Sequence, residues 1–396
     1  MKLLVVGFGQ CGNRIADEFN RLNARARFHR RIPILADAFA VNTDSADLSM
    51  LSNIKSDYTH RILIGNRKTN SHGVGKINAL GAQIAKQDGD KVISAIRSTE
   101  RFYDSDAFLL IASAAGGTGS GAMPIMAKML KERFKDKPVY ALIAMPFEHE
   151  EKTDTMTIFN SATCLKAIYS VADAVFLVDN QRYIEKDSSL INNLAAINKL
   201  IVEPFYDLLC AGEETKSKRI GAKLLDAGDI IKTLKGWTVL GYGVAKLGAI
   251  RLPFLRGRNY KKKSTETIKG IQTMDQAISN LSLQCDPKDS ASALYLLSAP
   301  TEEMTMNLVK ELVDYLGEAA PRAMVRYGDY PRGESTLKIT LILSQLNSVD
   351  KIMEYYDKVP QLVQEDEQMR EENDRRLNKI MRASRMVPSL FDGDGN

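Results

Sequence analysis

Several things are scarce in this chain, and each scarcity removes a class of protein. It has four cysteines, Cys11, Cys164, Cys210 and Cys285, with no C-x-x-C pair among them. That spacing excludes a disulfide framework and a paired-cysteine zinc site, and it fits the reduced thiols of a cytoplasmic protein. No apolar run approaches the length that spans a bilayer, and the N-terminus enters a strand-like segment at once, without a leader-like stretch. The net charge is only +5 over 396 residues, too little to imply a nucleic-acid partner. Internal repeats and low-complexity segments are missing as well.

What is present is core material. Apolar residues make up 44% of the chain, which excludes a fully disordered protein, and the length suits two domains. From residue 1 to about 180, short apolar runs (KLLVVG, AFAVNT, RILIG, AFLLIAS, VYALIAM, AVFLV) alternate with helical patterns at 11–24, 76–98, 120–134 and 155–171. Buried parallel strands read as continuous apolar runs, so this alternation predicts a doubly wound α/β domain, whose ligands bind at the carboxyl ends of the strands. Residues 186–211 form one long helical pattern that Pro204 should kink. From about 236 the order becomes mixed: strand WTVLGYGVA, a helix near 265–282, strand ALYLLSA, a helix near 302–317, then strands AMVRYG and TLKITLIL. This is a smaller α+β domain. A charged helical tail follows from about 350.

Two glycine loops carry the chemistry. GFGQCGN, residues 7–13, follows the first strand and has the G-x-G-x-x-G spacing of a dinucleotide-binding turn. AAGGTGSGAMP, residues 114–124, follows the strand AFLLIAS and opens another helix. Small residues let successive N–H groups approach phosphate oxygens, and a helix N-terminus adds its positive dipole end. A nicotinamide enzyme needs one such loop. Two loops on one sheet suit a nucleoside triphosphate held from both sides. The P-loop pattern G-x-x-x-x-G-K-[ST] is absent.

AGGTGSG, residues 115–121, is similar to the tubulin/FtsZ signature G-G-G-T-G-[ST]-G, with Ala115 in place of the first glycine. GQCGN, FAVNTDSADL, HGVGKINALG, VDNQR, LAAINKLI and LLDAGDIIKTL follow the same family's motifs in order over about residues 1–345, and they look closest to its archaeal CetZ branch. The resemblance implies a GTPase fold with a long central helix, GTP or GDP as the nucleotide, and Mg²⁺ as its counter-ion. It implies phosphate contacts from Gly9, Gln10, Cys11 and Asn13, and from Ala115, Gly116, Gly117, Thr118, Gly119 and Ser120. It places Asn42, Thr43 and Asp44 near the phosphates, with Asp44 holding the metal through water, and it puts Gly75 and Lys76 beside the γ-phosphate. Glu150 aligns with a ribose-contacting glutamate, although Thr153 and Asp154 stand where an arginine is expected. Lys76 replaces a small residue of the family, so it either pairs with the triphosphate or faces solvent. Asn180 and Asn198 match guanine-contacting asparagines, and an amide carries both the donor and the acceptor that the guanine edge requires.

The resemblance also implies an active site split between molecules. Asp226 and Asp229 match the two acidic positions of the family's catalytic loop, and Leu224 replaces its asparagine. The loop lies at the far end of the central helix and cannot reach its own nucleotide, so head-to-tail self-assembly would bring it over the next copy's γ-phosphate. Read alone, Asp229 is an N-cap for IIKTLKG. The implied domains are a GTP-binding domain at 1–185, a central helix and catalytic loop at 186–235, an α+β domain at 236–348, and a tail at 349–396. In the basic insertion RLPFLRGRNYKKKS, residues Arg256, Arg258, Lys261, Lys262 and Lys263 are candidates for contact with a neighbouring filament or anionic lipid. VPSLF, residues 387–391, echoes the FtsZ tail peptide, which implies a membrane tether or adaptor. The alternatives are a GTP-binding regulator that uses the fold without polymerising, and a Rossmann oxidoreductase, which leaves AGGTGSG without a role.

Overall fold

The computed structural model describes residues 1–184, 190–247 and 260–384. Arg256, Arg258 and the VPSLF segment lie outside the described residues, as do the side chains of Lys261, Lys262 and Lys263.

The first half alternates strand and helix: β1 (Leu3–Phe8), α1 (Gly9–Arg30), β2 (Leu35–Asn42), α2 (Ser45–Ser49), β3 (Arg61–Leu63), α3 (Asn66–Thr69), α4 (Asn78–Arg97), β4 (Ala107–Ser113), α5 (Thr118–Arg133), β5 (Val139–Met145), α6 (Glu148–Thr153), α7 (Thr155–Tyr169) and β6 (Ala174–Asp179). The apolar runs become strands because both of their faces are covered; all of β1 and all of β5 is buried. Every pairing among β1 to β6 is parallel, with Val5 level with both Ala38 of β2 and Leu109 of β4.

The single helical pattern expected at 186–211 is instead two described helices, α8 (Leu190–Val202) and α9 (Phe205–Ala211). Pro204 supplies no N–H and disfavours helical geometry at Glu203, so a turn replaces the kink. Ile15, Phe19 and Leu22 of α1, Ile197 and Ile201 of α8, and Leu208 and Leu209 of α9 pack on Val5, Leu109, Leu142 and Phe176. Helices α4, α5 and α7 contact one another in sequence, and α5 contacts β4, β1 and β5.

After α10 (Ala227–Thr233) come β7 (Gly236–Lys246), α11 (Tyr260–Ser279), β8 (Ser290–Ala299), α12 (Met306–Ala319), β9 (Met324–Pro331) and β10 (Thr336–Leu346). These strands do not form a separate sheet. β7 runs parallel to β6 through Ala174–Gly236, Val175–Trp237 and Phe176–Thr238. One ten-stranded sheet results, in the order β3-β2-β1-β4-β5-β6-β7-β10-β8-β9, antiparallel at β7–β10 and β10–β8. Trp237 stacks on Tyr169 of α7 at this junction, with ring centroids 4.4 Å apart.

A buried ion pair also ties the two halves together. The Arg30 Nη2 at the end of α1 lies 2.7 Å from Asp207 Oδ1 of α9. Its guanidinium sits over the rings of Tyr206 and Tyr330, the latter on β9. Burial works against the Arg30 charge, but Asp207 more than offsets it and holds the group well above its usual value. From Lys351 the described residues belong to a second unit, the helix α13 (Asp350–Ser384).

Candidate functional site

Four described helices open with a side-chain cap: Asp44 for α2, Asp154 for α7, Asp226 for α10 and Thr305 for α12. α1 and α5 have none, and neither has an acid in its first turn. Their free N–H groups and dipole ends converge. A Cβ added to Gly9, whose φ is +68°, would stand 3.0 Å from the Gly119 nitrogen. Two uncapped helix starts in contact at the carboxyl ends of β1 and β4 make an anion site. Gly12 explains how α1 comes so close, since a Cβ there would lie 2.1 Å from the Ile111 carbonyl oxygen of β4.

The cradle is a cavity of about 280 Å³. Of the residues expected at the nucleotide, Gly9, Gln10, Cys11, Asp44, Lys76, Ala115, Gly116, Gly117, Thr118, Gly119 and Glu150 line it, together with Asn42. Asn13, Gly75, Ser120, Asn180 and Asn198 are not in its wall. Asn13 lies beneath, where its Oδ1 accepts from Val41 N and pins β2 to α1. The Ser120 hydroxyl is turned back onto the Gly116 carbonyl. Asn180 is buried in the turn after β6 and Asn198 is half-buried on α8. Gln181 accepts from Glu148 N, which sets that turn beside the α6 segment carrying Glu150.

Three of the expected polar residues are already engaged. The Lys76 Nζ donates to Asp154 Oδ2 at 2.7 Å, so it neither hangs free in solvent nor waits unpartnered. The Glu150 carboxylate accepts from Phe147 N. Asp44 Oδ1 accepts from Ala46 N and Asp47 N. Burial, joined by the Glu150 carboxylate and opposed by Arg14, pushes the Cys11 thiol up to about 12. A neutral thiol at pH 7 is packing material and not a nucleophile.

Two organising residues escaped the sequence reading. Asp47 accepts from Gln10 Nε2 at 2.7 Å and from Asn42 Nδ2 at 3.0 Å, joining the first two loops. Its signal was an acid in the first turn of NTDSAD. Asn160 of α7 is fully buried and donates Nδ2 to the carbonyls of Lys76 and Ala115, clamping the third loop to the fourth. An asparagine amid the apolar face of TMTIFNSATCLKAIY was its only mark.

Asp226, and not Asp229, caps α10, and it accepts from Asp229 N. Neither aspartate lines the cradle. A Cβ on Gly212 would lie 3.2 Å from Asp226 Cα, and the neighbouring Glu213 pairs with the Met1 ammonium at 2.9 Å. The loop therefore sits at the start of β1 while the cradle sits at its end, about 20 Å away along six residues rising about 3.3 Å each.

A metal would find few protein ligands. No group of three or more His, Cys, Asp or Glu side chains is gathered for one among the described residues. Of the three acids that line the cradle, Asp44, Asp47 and Glu150, one carboxylate beside the phosphates is enough to fit Mg²⁺, which keeps several waters.

A doubly wound sheet with two uncapped helix starts at one end and an acidic loop at the other defines a class, and the sequence comparisons agree with it. Residues 2–186 match the tubulin/FtsZ family, GTPase domain, and residues 187–360 match the tubulin-like CetZ, C-terminal domain. The chain belongs to the tubulin/FtsZ family, in its tubulin-like CetZ branch. Tubulin-like protein CetZ1 of Haloferax volcanii is 32% identical over 368 residues, covering 89% of this chain and 90% of that protein. Among solved structures, the GDP-bound monomer of Haloferax volcanii CetZ1 is similar with a TM-score of 0.76 and 29% identity, over 90% of this chain and 97% of that one. The GTPγS-bound protofilament of CetZ2 from the same organism is similar with a TM-score of 0.79 and 26% identity, over 93% and 100%.

Proposed function

We propose that this protein binds GTP in the glycine cradle, assembles head to tail, and hydrolyses the nucleotide at the junction between copies. The observation that carries this reading is the separation along β1. The cradle lies at one end, and Asp226 and Asp229 lie at the other, beside Glu213 and Met1. A patch at one end that serves a site at the other is satisfied by a second molecule in the same orientation, and repetition of that contact produces a filament. The relatives' structures support it: one is a GDP-bound monomer and another a GTPγS-bound protofilament.

The N–H groups of α1 and α5 hold the phosphates, and Asn180 and Asn198 read the guanine edge beyond the cradle wall. Asp226 and Asp229 of the neighbouring copy orient the attacking water and accept its proton. Mg²⁺, held through water by Asp44, supplies charge neutralisation on the phosphates when bound. A cytoplasmic filament whose tail peptide docks on a membrane tether completes the reading. No helix among the described residues is long and apolar enough to cross a membrane.

The test is GTPase rate per molecule against protein concentration, with light scattering alongside. The expected result is a rate that rises with concentration, together with an Asp226→Ala, Asp229→Ala variant that binds GTP but does not turn it over. Concentration-independent turnover, with that variant still active, would favour the non-polymerising regulator.

A further inference from the structure

Away from the cradle, at the other end of α1 and α4, lies a second cleft of about 590 Å³, larger than the cradle itself. Its floor is the first half of β2, residues 36–39, whose outer edge is open because β3 pairs only with Ala40, Val41 and Asn42. Eighteen residues of α1 separate Gly9 from Arg27, about 27 Å at 1.5 Å per residue, so the cleft is remote from the nucleotide end. Nothing in the proposed GTP chemistry uses it.

Three cations line this cleft: Arg27 from α1, Lys55 from the loop before β3, and Arg101 after α4. Neither Arg27 nor Arg101 has an ion-pair partner among the described residues, and both are exposed. Lys55 reaches only His60 Nε2, at 3.3 Å. Asp37 and Glu100 are the opposing acids in the lining, and Asp37 is consumed. Its carboxylate accepts from Ala38 N, His60 Nε2 and Thr99 Oγ1. That same carboxylate covers the open strand edge, so a guest cannot simply add as another strand and must be recognised through its side chains. Partial burial first, and then the charge of Arg101, lower the Arg27 guanidinium below its ordinary value, against the pull of Asp37. Two like charges thus lie close enough to act on each other, and neither is in an ion pair among the described residues.

Close in sequence to the lining residues, though not themselves in the lining, are three aromatics that the fold leaves in water. Phe28 follows Arg27 and is 83% exposed, Tyr58 precedes the lining residue Thr59 at 93%, and Tyr103 lies two residues past Arg101 at 86%. Arginines beside exposed aromatics are the composition of protein-docking surfaces, and the mostly polar lining does not suit an apolar small molecule.

We propose that this cleft docks an acidic peptide segment of a partner protein, its carboxylates pairing with Arg27 and Arg101 and its apolar side chains lying on Phe28, Tyr58 and Tyr103. Arginine grips carboxylates through two parallel hydrogen bonds, and the aromatics supply contact area at little conformational cost. The partner bears on the end of the molecule away from the nucleotide.

The probe is a fluorescein-labelled peptide, Glu-Glu-Phe-Glu-Glu-Leu-Phe-Glu-Glu-Leu, titrated with full-length protein and followed by anisotropy. The expected result is saturable binding that weakens as salt is raised. It should fall about tenfold or more in Arg27→Glu, Arg101→Glu and about fivefold in Tyr58→Ala, Tyr103→Ala. All four positions are exposed, so melting curves and GTP turnover should match the unaltered protein. The proposal is overturned if a peptide with Lys in place of Glu binds as well, if the charge-reversal variant binds the acidic peptide unchanged, or if a single-stranded oligonucleotide competes for the cleft as strongly as the peptide.

Discussion

The Lys76 ammonium lies 2.7 Å from the Asp154 carboxylate, which ties the loop beside the cradle to the head of α7. Lys76 lines the cavity, and Asp154 draws its charge aside. Asp154→Asn should release the lysine towards the phosphates and tighten GTP more than GDP. The pair is partly exposed, so the gain should be modest, about two- to fivefold in the ratio of the two dissociation constants. Titration with fluorescent nucleotides reads that ratio, and Lys76→Ala should erase the difference.

Asn160 holds two loops with one amide. Replacing it with alanine leaves the carbonyls of Lys76 and Ala115 without that donor, at a cost of about 1–3 kcal/mol. Thermal unfolding should register the loss directly. Nucleotide affinity should fall with it, and saturating GTP should restore part of the stability by mass action.

The Arg30–Asp207 pair makes a sharper case. Arg30→Met alone leaves Asp207 buried and unpaired, which should cost about 3–5 kcal/mol in urea unfolding. Adding Asp207→Leu removes the stranded charge and should recover at least half of that loss. Equal damage from the single and double variants would mean that the tyrosine stacking, and not the ion pair, carries the contact.

Acid should expose a smaller contribution. Partial burial pushes Asp57 upward, yet hydrogen bonds from Thr59 and His60 outweigh it and hold the group at about 2 instead of its ordinary 3.8. A carboxylate lowered in the folded state stabilises fully above its unfolded value and loses that contribution as pH falls through the folded one. Asp57→Asn should therefore be less stable than the unaltered protein above about pH 4 and indistinguishable from it near pH 2. Denaturation at stepped pH measures the convergence.

The strands were legible because parallel strands covered on both faces leave continuous apolar runs such as LLVVGF and VYALIAM. What escaped was short or relational. Helices α2 and α6 span five and six residues, too few to show a period. The insertion of β10 between β7 and β8 pairs residues from about forty to about a hundred positions apart, which no local pattern encodes. At the site, the glycines announced themselves through spacing, whereas Asp47 and Asn160 act on the backbone or side chains of other loops and look like ordinary polar residues. The Lys76–Asp154 pair lay hidden for the same reason. Each residue was noticed as a departure, Lys76 from a small residue and Asp154 from an arginine, but the compensation between them needs three dimensions.

The join between β6 and β7 is only three register pairs long, so any torsion between the nucleotide-holding strands and the remaining four concentrates there. The chain's one tryptophan, Trp237, sits in that join against Tyr169. Its ultraviolet emission therefore reads the packing of that join alone, without a label.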